Sequence, residues 1–176
     1  MEEFVRNILA KIGIDSDRFV LKWASAAEGP RFVKLITDFT SKIKSLGPLG
    51  EPEGISKDEL QIKLFAARNA LEKVKLRTGL GKLTKGFRKE GDYSDQIIKD
   101  KVNEKMAKSI STELARNETL LRIQKEGPIY FDDLTKKIGM PGTDIEKYVA
   151  AFRKKGLVAE ADGQLSATSK PVTSNE

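Results

Sequence analysis

The hydrophobic positions of the first 48 residues predict helix, strand and helix. The first helix has Phe4, Val5, Ile8, Leu9 and Ile12 on one side and ends at Gly13. Phe19 to Trp23 is a short apolar run rich in β-formers, which predicts a buried strand. Ser25 and Glu28 have the spacing of a capping box, which opens a second helix. That helix places apolar residues three and four positions apart and ends at Gly47-Pro48. They are Phe32, Leu35, Ile36, Phe39, Ile43 and Leu46.

The middle of the chain reads as helix, loop and helix. After the Gly/Pro-rich connector 47–55, Ser56 and Glu59 match a second capping box, and we expect a helix to about Thr78. Gly79 and Gly81 should end it, so 79–94 is predicted to be a loop. Helical spacing resumes from Ile98 to Leu121, as one long helix or as two helices broken near residues 109–111.

The last third of the chain has the order of elements found in winged helices. A helix over about 110–125 precedes a short strand at 129–130 and a short helix at 131–138. A capping box, Thr143-x-x-Glu146, should open the next helix, with Ile145, Tyr148, Val149 and Phe152 buried. Two strands then flank Asp162-Gly163, a type I′ hairpin signal. The sequence therefore predicts a winged helix.

These patterns together predict an α+β fold that is mostly helical. The predicted parts are a partial α/β segment at 1–48, a helical connector with a basic loop at 49–109, a winged-helix-like domain at 110–167 and a disordered tail at 168–176. An isolated strand leaves backbone groups unsatisfied, so the strand at 19–23 should pair with a partner chain, a second copy or the wing.

The chain contains no cysteine and no histidine, which excludes several kinds of catalytic and metal-binding site. Disulfides and catalytic triads of the Ser-His-Asp or Cys-His kind cannot be built from it. Zinc sites and iron–sulfur clusters need the same ligands. We predict no catalytic, cofactor-binding or metal-binding residue. No apolar run approaches the length of a membrane span, and the N-terminus lacks a secretory signal, so we expect a cytoplasmic protein.

Positive charge is concentrated in one stretch. Residues 73–89 hold seven basic and no acidic residues, so their positive charge alone exceeds the net charge of +6 of the whole chain. This stretch could be a solvated loop and helix end, a docking patch for an acidic partner, or a nucleic-acid patch. Its candidate partner-binding residues are Lys75, Arg77, Lys82, Lys85 and Arg88. Gly79-Leu80-Gly81-Lys82 lacks the spacing of a phosphate loop.

A second candidate lies at the end of the predicted strand. Trp23, Ser25 and Glu28 could simply pack in a core and cap a helix, or they could form a cofactor edge or a partner contact, since ligands of open α/β sheets sit where strands end and helices begin. Nucleic-acid binding is disfavoured in the C-terminal part. Asp144 and Glu146 would face phosphates there, and the hairpin tip at 161–164 has no basic residue.

Residues 12–48 resemble the end of the delta subunit of methyl-viologen-reducing hydrogenase. The matching elements are Ile12-Gly13-Ile14, Arg18, Leu21, Trp23, Ser25-Ala26-Ala27-Glu28-Gly29, Phe32, Phe39 and Leu46-Gly47-Pro48. A weaker resemblance extends over 1–160, with a departure at Gly91-Asp92-Tyr93-Ser94, where the family usually has an Asn-Val-Tyr-Gly-like turn. We expect residues 1–48 to be a partial flavodoxin-like α/β segment that completes, or packs beside, a flavodoxin-like α/β domain.

The resemblance also implies a role in electron transfer in anaerobes. The family passes electrons between a hydrogenase or dehydrogenase and a heterodisulfide-reductase-type flavoprotein, through a two-iron two-sulfur cluster held by cysteines. Those cysteines precede the segment matched here, so the chain would be either a truncated version or one that has lost the cluster. We expect an accessory or assembly subunit of such a redox complex. The alternative is a winged-helix DNA-binding transcriptional regulator.

Overall fold

The computed structural model describes residues 1–168, and this part of the chain is mostly helical with one small antiparallel sheet. Its helices are α1 (Glu2–Lys11), α2 (Gly29–Leu46), α3 (Lys57–Glu72), α4 (Val74–Glu90), α5 (Asp95–Glu126), α6 (Phe131–Ile138) and α7 (Gly142–Lys154), with a 3₁₀ turn at Ser16–Arg18. The strands are β1 (Ile129–Tyr130), β2 (Val158–Ala161) and β3 (Gln164–Ala167). The chain forms two compact units. The N-terminal unit comprises 1–61 and 74–110, and among the described residues the C-terminal unit comprises 62–73 and 111–168.

The predicted strand at Phe19–Trp23 is wrong. These residues follow the 3₁₀ turn as unpaired backbone, and the three strands of the described part all lie between 129 and 167. Phe19 has the dihedral angles of an extended residue, φ −128° and ψ 133°. β-formers give a preference for extended backbone, but a strand also needs a neighbour to accept its hydrogen bonds. The described residues place no such neighbour beside this segment.

The predicted loop at 79–94 is also wrong over most of its length. Residues 74–90 form the helix α4, which continues through Gly79, Gly81 and Gly86. The helix packs with Leu76 and Leu83 buried. Tertiary packing of an apolar face outweighs the helix-breaking tendency of glycine, which is about 1 kcal/mol per residue.

The long helical pattern that follows is a single helix. α5 runs for 32 residues from Asp95 to Glu126 without a break at Ser109-Ile110-Ser111. Its buried residues include Val102, Met106 and Ile110. The side chain of Asp92 accepts a hydrogen bond from Ser94 N–H at 2.9 Å just before the helix begins.

The C-terminal unit has the predicted order of helices and strands. Its sheet has the strand order β1-β3-β2, with Ile129 opposite Leu165 and Glu160 opposite Leu165 on the other side. Asp162 and Gly163 both have positive φ, 51° and 73°, as a type I′ turn requires. The core contains Ile123, Ile129, Leu134, Ile145, Val149, Phe152, Val158 and Leu165. Tyr148, predicted to be buried, is partly buried.

Two smaller predictions in this unit need comment. α7 begins at Gly142 with Pro141 as its N-cap, so Thr143 does not act as the capping residue that the sequence indicated. Proline has the fixed φ that suits the entry to a helix. Thr168, the first residue of the predicted tail, donates its N–H to Leu157 O at 3.1 Å. The rest of that tail, 169–176, lies outside the described residues.

None of the helices within residues 1–168 combines the length and the apolar character needed to cross a membrane.

Candidate functional site

The residues of the resemblance motif meet around the guanidinium group of Arg18. Arg18 Nη1 donates to Gly47 O at 2.9 Å, and Nη2 lies 3.3 Å from both Leu46 O and Pro48 O. These carbonyls belong to the end of α2, where the last turn of a helix has no partners of its own. Arg18 therefore caps the C-terminus of α2 from the segment that follows α1.

Glu53 completes this arrangement, which we call the Arg18–Glu53 clamp. Arg18 Nε donates to Glu53 Oε1 at 2.6 Å, and Gly50 N–H donates to Oε2 at 2.9 Å. The two side chains are only 9% and 7% exposed. The hydrogen bond from Arg18 is the main cause that lowers the pKa of Glu53 to about 2. The ion pair thus holds the connector after α2 against the end of that helix.

Asp17 forms a second set of ion pairs beside the clamp. Its carboxylate accepts from Arg6 Nη2 at 2.5 Å and from Lys42 Nζ at 2.6 Å, so it links α1 to α2. The hydrogen bonds from Lys42 and Arg6 lower the pKa of Asp17. This side chain is 39% exposed, so solvent screens the pairs and their contribution is small.

Ser25 and Glu28 form half of the predicted capping box. Ser25 N–H donates to Glu28 Oε2 at 2.8 Å, but α2 begins only at Gly29, with Glu28 itself as the N-cap. This backbone hydrogen bond, followed by the one from Arg31 at 2.7 Å, lowers the pKa of Glu28. Proline in the first turn of α2 favours the later start. Glu28 therefore has a local structural role, and its contact with a partner stays a prediction.

Trp23 does not pack in a core. Its side chain is 80% exposed, the largest exposed fraction among the large hydrophobic residues that the structure describes. It lines a shallow cleft together with Arg6 and Asn7 of α1 and Asn103 of α5. The core interpretation of Trp23 is wrong because no sheet forms beneath it, and its open position is compatible with a partner contact.

The N-terminal half of α2 presents an uncovered apolar surface, which we call the α2 apolar face. It consists of Phe32, Val33 and Ile36, which are 56%, 63% and 52% exposed. The C-terminal half of the same helix is half-buried at Phe39 and Ile43. No residue of α2 is fully buried, although its spacing is that of a core-facing helix. Contiguous exposed apolar side chains of this kind usually mark an interaction surface.

The basic stretch at 73–89 lies on a helix. Lys75, Arg77, Lys82, Lys85 and Arg88 are all exposed residues of α4, together with Lys89, and Lys73 precedes that helix. Arg88 and Lys89 occupy the last turn, where the helix dipole favours cations. The structure thus brings the basic candidates onto one element. None of them lines the cleft that contains Trp23.

The residues of this chain do not fit the two-iron two-sulfur cluster that the resemblance implies. Such clusters need thiolates, with imidazoles as the known substitute, and the sequence has neither. Within residues 1–168, no group of three or more acidic side chains is arranged to hold a metal ion. We therefore derive no step through such a cluster.

Sequence reasoning missed Glu53 and Asp17. Glu53 lies in the Gly/Pro-rich connector, where side chains show no periodicity, and only its contact with Arg18 reveals its role. The one available signal was Arg18 itself, an arginine of the resemblance motif without an assigned partner. A buried arginine of this kind requires a carboxylate nearby.

The N-terminal part of the chain is similar in sequence to proteins named as components of hydrogenases and heterodisulfide reductases. The family described as methyl-viologen-reducing hydrogenase, delta subunit, matches residues 2–47, and this confirms the resemblance for that segment. The match begins in α1 and ends beside the Arg18–Glu53 clamp. It does not extend over the connector, the basic stretch or the C-terminal unit.

A segment similar to the N-terminal part of this chain occurs in curated relatives of two different kinds. One, from Methanosarcina mazei, belongs to the ferredoxin:CoB-CoM heterodisulfide reductase and is 40% identical over 48 residues, which are 27% of this chain and 6% of that protein. The other is the iron-sulfur subunit of the F420-non-reducing hydrogenase of Archaeoglobus profundus, 35% identical over 46 residues, 26% of this chain and 34% of that protein. The chain thus spans a small part of each. No solved structure matches it significantly. The comparisons give no support to the DNA-binding alternative.

Proposed function

We propose that this chain is a non-catalytic accessory subunit or domain of a redox complex of the hydrogenase–heterodisulfide reductase type. Residues 1–48 would pack beside, or complete, a flavodoxin-like α/β domain of the flavoprotein partner, and the C-terminal unit would be a winged helix that serves assembly. The single observation that carries the proposal is the α2 apolar face, because it lies inside the segment that matches subunits of such complexes.

The physical argument starts from two unsatisfied features in one segment. Phe19 is extended, residues 20–24 have no regular secondary structure, and the neighbouring α2 exposes Phe32, Val33 and Ile36. An extended segment can add to the edge of a partner's sheet by backbone hydrogen bonds. The helix that follows it would then cover one face of that sheet, as crossover helices do in α/β proteins. Both features would be satisfied by the same partner.

The basic stretch on α4 supplies a charged contact to the same complex. Its seven exposed cations are followed by an acid only at Glu90. Surface charges of one sign raise the association rate with a partner of opposite sign. We therefore propose an acidic surface on the flavoprotein or on the hydrogenase or dehydrogenase subunit.

Replacing Phe32 and Ile36 with aspartate is expected to abolish association with the purified heterodisulfide-reductase-type flavoprotein of the same organism. Charges in the apolar contact would remain desolvated and unpaired in the complex. The free energy of unfolding should stay within about 0.5 kcal/mol, because both side chains are more than half exposed in the free chain. Analytical gel filtration of the mixed proteins and urea unfolding measure the two effects.

The matched control for the single variant Phe32→Asp is Tyr93→Asp, which places the same charge on an exposed aromatic residue outside α2. Tyr93 is 58% exposed and lies between α4 and α5. This variant should bind the flavoprotein as the wild type does. If the wild-type chain does not associate, or if Phe32→Asp and Tyr93→Asp weaken association equally, the proposed docking by α2 is wrong.

A further inference from the structure

A cleft of about 320 Å³ lies between α4 and the first part of α5, wholly within the N-terminal unit. Its floor is apolar, since Leu83 and Met106 are buried and the ring of Phe87 is half-buried. Small-molecule sites start at about 300 Å³ and are mostly apolar with a few convergent polar groups. A helix, which is about 10 Å wide, is too large for this space. The cleft has the size and character of a site for one small organic molecule.

Four lysines surround this apolar floor. Lys75, Lys82, Lys101 and Lys105 line the cleft, against one acidic residue, Glu90. Lys101 pairs with Glu90 and lies 5.6 Å from the centre of the Phe87 ring. Lys82 and Lys105 are exposed at the rim, and within residues 1–168 neither has a carboxylate partner. The rim therefore carries positive charge that the protein itself does not neutralise.

The glycines of α4 add a second observation. A Cβ at Gly79 would lie 3.0 Å from Sδ and Cε of Met106, so packing accounts for that glycine. A Cβ at Gly86 would meet no atom within 4 Å, yet Gly86 lines the cleft. Glycine is unfavourable inside a helix, and packing gives no reason for it here. A side chain at this position would occupy part of the cleft.

We propose that this cleft binds a small amphipathic anion, an organic acid whose apolar body occupies the floor and whose carboxylate, sulfonate or phosphate is held by the lysines of the rim. Burial of the apolar body removes it from water, while Lys82 and Lys105 make charge-assisted hydrogen bonds to the acid group. This site is independent of docking by α2, but Lys75 and Lys82 of its rim also belong to the basic stretch that we propose contacts an acidic partner.

The chain contains its own reporter for this site, because one of its three methionines lies in the cleft. Protein labelled with ¹³C at the methionine methyl groups is titrated with naphthalene-1-sulfonate and followed by NMR. The Met106 signal should shift to saturation, while Met140, in the other unit, should stay in place. Naphthalene-1-methanol has the apolar rings without the acid group, and inorganic sulfate has the negative charge without an apolar body. Each should bind at least about tenfold more weakly than naphthalene-1-sulfonate. Equal affinity for the neutral compound, or no saturable shift of Met106, would overturn the proposal.

Two pairs of variants separate the cleft from the rest of α4. Gly86→Ala and Gly81→Ala should both raise Tm, since neither Cβ meets an atom within 4 Å, but only Gly86 lines the cleft. Only Gly86→Ala should weaken binding of naphthalene-1-sulfonate, by about tenfold or more. Likewise Lys82→Glu should weaken it and Lys85→Glu, on the same helix but outside the cleft, should not. Equal effects within either pair would show that the cleft is not the site.

Discussion

Replacement of Arg122 by alanine is expected to lower the free energy of unfolding by about 3–5 kcal/mol, because it leaves a buried carboxylate without its partner. Arg122 lies on α5 and is fully buried. Its Nη2 donates to Glu118 Oε1 at 2.7 Å, and its Nη1 donates to Glu126 Oε1 at 3.0 Å. Glu118 is itself buried, whereas Glu126 keeps a bond from Lys137 Nζ at 2.7 Å. Urea unfolding followed by circular dichroism measures the loss.

An exposed pair of the same residue types provides the control. Arg68 and Glu72 also stand four positions apart on one helix, with an Nε–Oε1 distance of 3.0 Å, but their side chains are 70% and 60% exposed. Arg68→Ala should cost no more than about 0.5 kcal/mol, as is usual for solvated helix pairs. The double variant Arg122→Met with Glu118→Leu should recover most of the stability, since apolar residues can replace a buried ion pair. Comparable losses for Arg68→Ala and Arg122→Ala would contradict the argument.

Arg18→Ala should destabilise the N-terminal unit by about 3 kcal/mol. The substitution removes the group that caps three carbonyls at the end of α2 and leaves Glu53, only 7% exposed, without its counter-ion. Glu53 keeps the hydrogen bond from Gly50 N–H in this variant. The expected loss of stability is therefore at the lower end of the range for a broken buried ion pair. Amide hydrogen exchange at Gly50 and Ile55 should become faster, because both amides belong to the connector that the clamp holds.

The clamp also gives this unit a defined response to acid. The pKa of Glu53 is about 2 in the folded chain, against 4.5 ordinarily, so its contribution to stability is complete above pH 4.5 and is lost as the pH falls toward 2. In Arg18→Ala this loss should be much smaller. Arg31→Ala removes an exposed pair with Glu28 and should leave both exchange and acid response close to wild type. An unchanged acid response in Arg18→Ala would show that the ion pair does not stabilise the unit.

The C-terminal unit could be predicted from sequence because its local signals agree with one another. Asp162-Gly163 specifies the turn and the apolar spacing around Ile145 specifies the buried side of α7. The N-terminal unit could be predicted only in part: α1 and α2 follow from their apolar spacing, but the rest depends on non-local information. A strand at 19–23 depends on a neighbouring strand, and no sequence pattern supplies one. The helix over 79–90 depends on contacts with α5, which outweigh glycines that read as breaks.

The candidate sites show the same difference between local features, which the sequence reveals, and non-local ones, which it does not. A run of charged residues is visible in the sequence, so the exposure of the basic residues from Lys75 to Arg88 could be predicted directly, while their role in binding stays a prediction. Burial is not visible in that way, and Trp23 was expected in a core although it is 80% exposed. Glu53 could not be identified from the sequence, because its structural role depends on the ion pair with Arg18, which lies 35 positions away. Ion pairs between distant residues leave no trace in a single sequence.

The exposed position of Trp23 also gives the chain an optical property. Trp23 is the only tryptophan, so excitation beyond the absorption of tyrosine yields fluorescence from one indole alone. In the free chain that indole is 80% exposed to water, so we expect its emission to lie far to the red. Any partner that covers this segment would shift the emission to the blue, whereas melting of the C-terminal unit would leave its colour nearly unchanged. The colour of the emission therefore reports on the environment of residue 23 alone, without an added dye.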